Sequence, residues 1–252
     1  MREMISPALQ GVFRSLRLYH GAAAPKAAMD ELYAQFIKHG GLVFDIGAHV
    51  GDRISSFRRL GARVVALEPQ PLLMRALRLI HGRDPSVMLI PAAAAAASGE
   101  RTLHVNTRNP TVSTLSDAFL VEAIDALGWE GQQWDETITI PAITLDKVIA
   151  MFGPPAFVKI DVEGYEDEVL AGLTQPVPAL SFEFTTIARD VALRCFERMI
   201  TLGDYGFDIA LGESQTLTFN HWISAGEMAH HLSNLPHAAN SGDVYAVLRA
   251  KD

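Results

Sequence analysis

Between Leu42 and Ile90 two kinds of segment alternate, and that alternation constrains the fold more than any other feature of the chain. Leu42-Val-Phe-Asp-Ile46 is short and mostly apolar. A strand without polar alternation is one buried on both faces, as in a parallel sheet. A helix is expected from about Asp52 to Leu60, stopped by Gly61. Arg63-Val-Val-Ala-Leu67 is the next strand. Pro71 opens a second helix, running to about His81, at an early position where its missing N–H costs nothing. Val87 to Ile90 is a third strand. The order β-α-β-α-β predicts an α/β fold with a doubly wound, mainly parallel sheet.

The flanks fit that frame. Residues 1–21 form an expected amphipathic helix with Leu9, Val12, Phe13, Leu16 and Tyr19 along one stripe and Arg14 and Arg17 off it. A second helix, roughly Lys26 to Ile37, leads to Gly40-Gly41. Six alanines at 92–97 favour a helix by propensity, but they follow Pro91 and precede Ser98-Gly99. An extended exit from the third strand is expected there, with side chains small enough for a flat ligand to approach. Arg101–Val105 and Thr137–Ile140 alternate as strands, with a polar loop at 109–114, a helix at Ser116–Leu127 and an irregular stretch to Glu136 between them. Thr144 or Asp146 caps a short helix ending at Gly153. Phe157–Ile160 and Ala179–Phe184 are further strands, the first followed by a helix whose first turn holds Glu166, Asp167 and Glu168, where the macrodipole favours acids. Asp190–Leu202 and Ala225–Leu235 are helices, and Gly206–Leu211, Thr216–Asn220 and Val244–Leu248 strands. The chain is expected to be one domain, 1–252, with N-terminal helices in 1–40, a core from 41 to 252 and an insertion at about 101–140 that caps it.

With 252 residues, 49% of them apolar and 20% charged, the chain can bury a substantial core. Its net charge of −8 argues against a nucleic-acid partner. One cysteine, Cys195, allows no disulfide within the chain. The N-terminus lacks the apolar run of a signal peptide, and no stretch suits an integral membrane segment. A cytoplasmic protein is expected; the sequence says nothing about oligomeric state.

Asp45-Ile-Gly47-Ala48-His49-Val-Gly51 joins the first strand to its helix. Free backbone N–H groups at such a turn bind a polar or anionic group. Glu68, followed by Pro69, closes the second strand, where an acid meets the hydroxyls of an adenosine ribose. The turn is G-x-x-x-G, not the G-x-G-x-x-G of dinucleotide binders. Asp45 would oppose a pyrophosphate and suits a ligand with a cationic amino-acid end. S-adenosyl-L-methionine (SAM) has an ammonium, a sulfonium and a ribose diol but no phosphate, so the charge pattern favours it over NAD.

Val43–Gly51, Val64–Pro69, Thr144-Leu-Asp146 and above all Phe157-Val-Lys-Ile-Asp-Val-Glu-Gly-Tyr165 resemble the FkbM family of class I, Rossmann-like SAM-dependent methyltransferases. The resemblance is strong over about residues 40–185. It implies a seven-stranded sheet with an antiparallel last strand, and methyl transfer to a hydroxyl of a sugar, polyketide or other small-molecule or glycan acceptor. It implies that Asp45, Gly47 and Gly51 line the methionine end of SAM, that Glu68 holds the ribose, and that Asp161 lies beside the methyl or amino-acid moiety. His49 departs from the asparagine common at its position.

An aliphatic hydroxyl is a poor nucleophile, so a base or a metal is expected beside it. Lys159, Asp161 and Glu163 stand at alternate positions, and alternate residues on a strand share a face. With Glu183 near the tip of the Ala179–Phe184 strand they are the catalytic candidates. Lys159 could neutralise the carboxylates, orient one, or act as base if burial lowered its pKa. No zinc-like spacing occurs; Asp161, Glu163 and Glu183 are the only candidate oxygen ligands, for Mg²⁺. Asn109 and Ser113 of the polar loop, and His221, are candidate acceptor contacts, as is the Asn240–Asp243 segment. Two alternatives compete: an NAD(P)-dependent Rossmann oxidoreductase, and a non-catalytic SAM-binding scaffold.

Overall fold

The structure is a computed structural model that describes residues 6–21, 26–124 and 126–250. Arg2 and position 125, which fall in two of the expected helices, lie outside the described residues.

In chain order the elements are α1 (Pro7–His20), α2 (Lys26–Ala34), β1 (Leu42–Ile46), α3 (Asp52–Arg59), β2 (Arg63–Leu67), α4 (Pro71–His81), β3 (Val87–Ile90), β4 (Ala93–Ala94), β5 (Gly99–Val105), α5 (Asp117–Ala123), β6 (Glu136–Ile143), α6 (Leu145–Phe152), β7 (Phe157–Ile160), α7 (Glu166–Ala171), β8 (Ala179–Thr185), α8 (Arg189–Leu202), β9 (Tyr205–Leu211), α9 (Ala225–Asn234) and β10 (Ser241–Leu248). Seven strands form one sheet in the order β3-β2-β1-β7-β8-β10-β9. The pairs β1–β2, β2–β3, β1–β7 and β7–β8 are parallel, and β10 runs antiparallel to both β8 and β9. This is the expected doubly wound sheet with an antiparallel last strand. Strand order reverses between β1 and β7. That places a crevice beyond their carboxyl ends, where open α/β sheets bind ligands.

All residues of β1 and β7 are buried, as their apolar composition demands of central parallel strands. The two faces carry separate cores. Phe44, Ile46, Ile160 and Phe182 pack with α6, α7 and α8 on one face. Val43, Val64, Phe157 and Tyr245 pack with Tyr33, Ile54 and Phe57 on the other.

The insertion is a small second sheet, β4-β6-β5, wider than the expected 101–140 because the alanine tract joins it. Ala93 and Ala94 pair parallel with Ala142 and Ile143, and the Ala95 N–H donates to the Ile143 carbonyl at 3.0 Å. Backbone pairing in a buried position outweighs the helix propensity of alanine there.

Three expectations fail locally. Thr216–Asn220 is not a strand: Gln215 and Asn220 have positive φ, and the segment is held by isolated bonds, Thr218 N–H to the Ile209 carbonyl and Phe219 N–H to the Asp208 carboxylate. The helix expected to reach Leu127 ends at Ala123, because Ile124 is already extended. The α1 stripe holds only in part: Val12 is buried with Leu16 and Tyr19 packed beside it, along with buried Gly11 and Ser15, while Leu9 and Phe13 are exposed. Gly11 shifts the contact face: a Cβ there would stand 2.7 Å from the Thr107 carbonyl oxygen and 2.9 Å from Pro110, so α1 lies directly on the insertion. No helix among the described residues is long and apolar enough to cross a membrane.

Candidate active site

A cleft opens beyond the carboxyl ends of β1, β2, β7 and β8, roofed by the insertion and flanked by Tyr19 of α1. The glycine turn forms one wall. Gly47 has φ +84°, and a Cβ on it would sit 1.8 Å from the Asp161 carbonyl oxygen. Only glycine lets the turn after β1 pass that close to the end of β7. The N–H groups of Gly47 and Ala48 both donate to the Leu67 carbonyl at 3.0 Å, which ties the turn to β2. His49 is left-handed, φ +49°, a region where asparagine and histidine are both enriched. The same backbone need thus accounts for either residue. Its ring meets Tyr19 edge-on, centroids 5.2 Å apart, and burial pushes the imidazole down to about 4. Gly51, φ +83°, starts α3 beneath Leu77 and His81 and does not itself line the cleft.

Glu68 is buried at the tip of β2. One carboxyl oxygen accepts the His49 N–H at 2.9 Å and the other the Gln70 N–H at 2.8 Å. Burial nevertheless pushes its pKa up to about 8. Asp45, 1% exposed, is pushed up to about 7 by burial and by the neighbouring Asp52. Its Oδ2 is buried without a hydrogen-bond partner among the described residues. Pro69, Gln70 and Ala92–Ala94 line the neighbouring wall, where the small alanines leave room.

The crest after β7 carries the charge. Lys159 is buried and donates to Asp161 Oδ2 at 3.1 Å and to Asp243 Oδ1 at 2.7 Å. Burial alone would lower its pKa, but Asp161 and Asp243 outweigh burial and hold it well above the ordinary lysine value. The two carboxylates thus favour the charged form of Lys159. Burial works against the charge on Asp161, yet Lys159 and Arg53, with hydrogen bonds from Lys159 and Glu183, keep its pKa low. Glu163 and Glu183 are pushed well up, first by burial and then by neighbouring carboxylates. Asp161, Glu163 and Glu183 each offer an oxygen within 4.8 Å of the others, a grouping that could also hold a metal ion. Glu163 reaches this position through a left-handed backbone, φ +56°, fixed by a 2.7 Å hydrogen bond from Thr114 Oγ1 to its carbonyl. The insertion thus shapes the crest directly. Glu166 accepts the Val162 N–H at 3.0 Å and closes the turn into α7.

The cleft brings together Asp45, Gly47, Ala48, His49, Glu68, Pro69, Lys159, Asp161, Glu163 and Glu183, with Ser113 opposite. Asn109 and His221 are not part of it. Asn109 is held by a turn bond from its N–H to Asn106 Oδ1 and by its side-chain amide, which donates to Gln132 Oε1. His221 lies beside a separate hollow with Leu217 and Trp222, because the segment expected as a strand folds back against α2. Asp243, expected as an acceptor contact, is instead the second partner of Lys159. Sequence reasoning missed Tyr19, Arg53 and Glu213, which also line the cleft. Arg53 was visible as a first-turn residue after the glycine turn; Tyr19 and Glu213 come from remote segments with no motif around them.

The methyltransferase FkbM domain model matches residues 45–209, well over half of the chain. This chain belongs to the FkbM methyltransferase family. Membership makes it a SAM-dependent methyltransferase and sets the nicotinamide alternative aside. No curated protein sequence matches significantly. Among solved structures, the chain is similar to precorrin-6y C5,15-methyltransferase from Geobacter metallireducens GS-15 (14% identity, 89% of this chain and 86% of that one, TM-score 0.46). It is also similar to an O-methyltransferase from Bacillus cereus in complex with SAH (12% identity, 99% and 94%, TM-score 0.46). A third is fibrillarin from Aeropyrum pernix with natively bound SAM (10% identity, 94% and 76%, TM-score 0.43). The family assignment rests on the sequence match and not on these structures.

Proposed function

We propose that this FkbM family member is an O-methyltransferase acting on a hydroxyl of a sugar, polyketide or other small-molecule or glycan acceptor, and that residues 1–252 work as one catalytic domain. The observation that carries this reading is the convergence of Asp161, Glu163 and Glu183 on one spot beside the Asp45 and Glu68 cradle. Seven carboxyl side chains (Asp45, Asp52, Glu68, Asp161, Glu163, Glu183, Glu213) face only Lys159 and Arg53 across the cleft. Such an excess suits a cationic ligand, and the unpartnered Asp45 Oδ2 is an acceptor waiting for a donor. In this reading Asp45, Gly47, Ala48, His49 and Asp161 enclose the amino-acid end of SAM, while Glu68 and Pro69 meet the ribose.

SAM supplies an electrophilic methyl on sulfur. The protein aligns the acceptor oxygen with it and takes the hydroxyl proton. Glu163 and Glu183 are the acceptors of that proton. Burial and neighbouring carboxylates raise their pKa values, which makes each a stronger proton acceptor once ionised. A base must be deprotonated to act, so turnover falls as pH drops through the raised value and rises above it.

The test is turnover with SAM and a panel of sugar and polyketide hydroxyl acceptors, for wild type, Glu163→Gln and Glu183→Gln. Loss of the base is expected to lower kcat by about 10²–10⁴-fold, with SAH binding kept. Full turnover in both variants would end the carboxylate-base reading. SAM binding with no turnover on any acceptor would favour the non-catalytic scaffold.

The 4.8 Å grouping of oxygens also supports a second reading, a Mg²⁺ held by Asp161, Glu163 and Glu183. Lys159 already sets a positive charge against Asp161, so EDTA is expected to leave turnover unchanged. A loss that Mg²⁺ restores would assign the three carboxylates to a cation.

A further inference from the structure

The positive charge of this chain is unevenly placed. Segments 6–21 and 71–83, which carry α1 and α4, hold Arg14, Arg17, Arg75, Arg78 and Arg83 and none of the chain's 29 Asp and Glu residues. All five arginines are exposed. Among the described residues none of them meets a carboxylate, whereas Arg53, Arg58, Arg59, Arg194 and Arg249 each do. In a chain of net charge −8 this is a local reversal of sign.

The two segments form one face. Val12 and Leu16 of α1 pack with Leu72, Leu73 and Ala76 of α4. The first turns of both helices border a groove lined by Ala8, Val12, Pro71 and Arg75. Their last turns meet at the start of α3, where His20 Nε2 lies 2.8 Å from the Val50 carbonyl oxygen and His81 Nε2 lies 3.1 Å from that of Gly51. Helices joined at both ends lie side by side. Leu9, Phe13 and Arg17 follow one another at four-residue steps on α1, as Arg75 and Leu79 do on α4, so each set shares a side of its helix. Phe13 is 54% exposed and Leu79 87%. Of the carboxylates at the border, Asp84 pairs with Arg58 and Asp135 accepts from Thr107, while Glu136 lines the groove.

The arginines call for an anionic partner, and the apolar side chains among them call for hydrocarbon. A bilayer of acidic lipids offers both. A nucleic acid would satisfy the arginines through its phosphates but gives Leu9, Phe13 and Leu79 little to bury against. We infer that the α1–α4 face docks on the surface of an anionic membrane, with the arginines at lipid phosphates and Phe13 and Leu79 among the upper acyl chains. The contact is peripheral: it uses a surface and not a span. Tyr19 of α1 flanks the cleft, so docking sets the cleft beside the lipid headgroups, within reach of hydroxyl acceptors carried on lipids. That consequence rests on the O-methyltransferase reading; the docking itself does not.

The test is flotation of the full chain with vesicles of phosphatidylcholine alone and of equal parts phosphatidylcholine and phosphatidylglycerol, each at low and high salt. Wild type is expected to float with the acidic vesicles only, and less at high salt. Arg75→Gln/Arg78→Gln is expected to weaken binding by about 30-fold, at about fivefold for each arginine near the surface. Phe13→Ser is expected to weaken it by about 10-fold through loss of a partly inserted ring. Arg63→Gln/Lys147→Gln removes the same charge from exposed positions on β2 and α6 and is expected to bind like wild type. Each substituted side chain is exposed and without a carboxylate partner, so all variants are expected to melt like wild type. Equal flotation with neutral vesicles, no flotation, equal weakening by the Arg63/Lys147 pair, or unchanged binding in Phe13→Ser would each overturn the docking. Binding of a single-stranded RNA oligonucleotide that needs Arg75 and Arg78, without flotation, would assign the face to nucleic acid instead. S-adenosylhomocysteine binding is measured alongside: flotation without it would fail the methyl-donor reading and leave the docking standing.

Discussion

Lys159 shows how far a single residue's role depends on partners the sequence does not place. Its spacing from Asp161 on one strand was legible, and so was their common face. Asp243 was not, because it lies on β10, which enters beside β8 from the other end of the chain. With both carboxylates the ammonium is pinned, which favours the role of neutraliser over that of base. Lys159→Met would leave Asp161 and Asp243 facing each other without their cation. Removing one member of a buried ion pair costs about 3–5 kcal/mol, so urea unfolding is expected to show a loss of that size. The pH dependence follows from the shifts. Lys159 is raised and Asp161 lowered. Their contribution is therefore lost only as pH falls through the depressed value of Asp161 or rises through the elevated one of Lys159. Across pH 6–9 the deficit of Lys159→Met should stay nearly constant. If the variant instead unfolded like wild type but lost turnover, Lys159 would be the base after all.

At the scale of elements, the parallel strands and their helices were legible because burial on both faces leaves an unmistakable apolar run, and because glycine and proline punctuate it. The grouping of Asp45, Gly47, Glu68 and Asp161 in one cleft was legible for the same reason: that wall is built from the ends of those strands. What stayed hidden comes from segments whose placement depends on contacts across the fold. Thr216–Asn220 alternates like a strand and lies beside β9, the edge strand, but the positive φ of Gln215 and Asn220 limits it to isolated bonds there. The stripe on α1 was legible at Val12, Leu16 and Tyr19 but not at Leu9 and Phe13, because Gly11, which carries no hydrophobic signal, sets the contact with the insertion. That contact has a consequence for the site. Through it α1 carries Tyr19 to His49, at the wall of the cleft. Gly11→Val would place a side chain against the Thr107 carbonyl and lift α1 from its seat. Overpacking of this kind costs about 1–3 kcal/mol. S-adenosylhomocysteine is expected to bind more weakly to Gly11→Val, with the affinity lost mainly through faster release in stopped-flow measurements. Unchanged release would mean that α1 covers the cleft without closing it.

For the whole molecule, the cleft concentrates carboxyl groups whose ionisation the fold resists. Asp45 rises from 3.8 to about 7 and Glu68 from 4.5 to about 8, and Glu163 and Glu183 rise as well. A carboxyl whose folded pKa exceeds its unfolded one favours the fold while it is neutral in both states. That contribution declines as pH rises through the folded value. His49 and His81 act in the opposite sense, since burial lowers their pKa values, but above pH 6.5 each adds only about 0.4 kcal/mol as the unfolded imidazole loses its last charge. The window from pH 6.5 to 8.5 thus reports mainly on the carboxyl groups. The ligand-free protein is expected to lose thermal stability across it, by on the order of 5 °C or more for groups shifted this far. A cation in the cleft offsets the repulsion that ionisation creates. SAM, which brings a sulfonium as well as an ammonium, should therefore raise Tm more at pH 8.5 than at pH 6.5, and more than S-adenosylhomocysteine does at equal saturation. Melting curves of the free, SAM-bound and S-adenosylhomocysteine-bound protein at both pH values decide the matter. A Tm shift by SAM that shrinks with pH, or that never exceeds the shift by S-adenosylhomocysteine, would show that the cleft's acid excess does not serve the positive charge of the methyl donor.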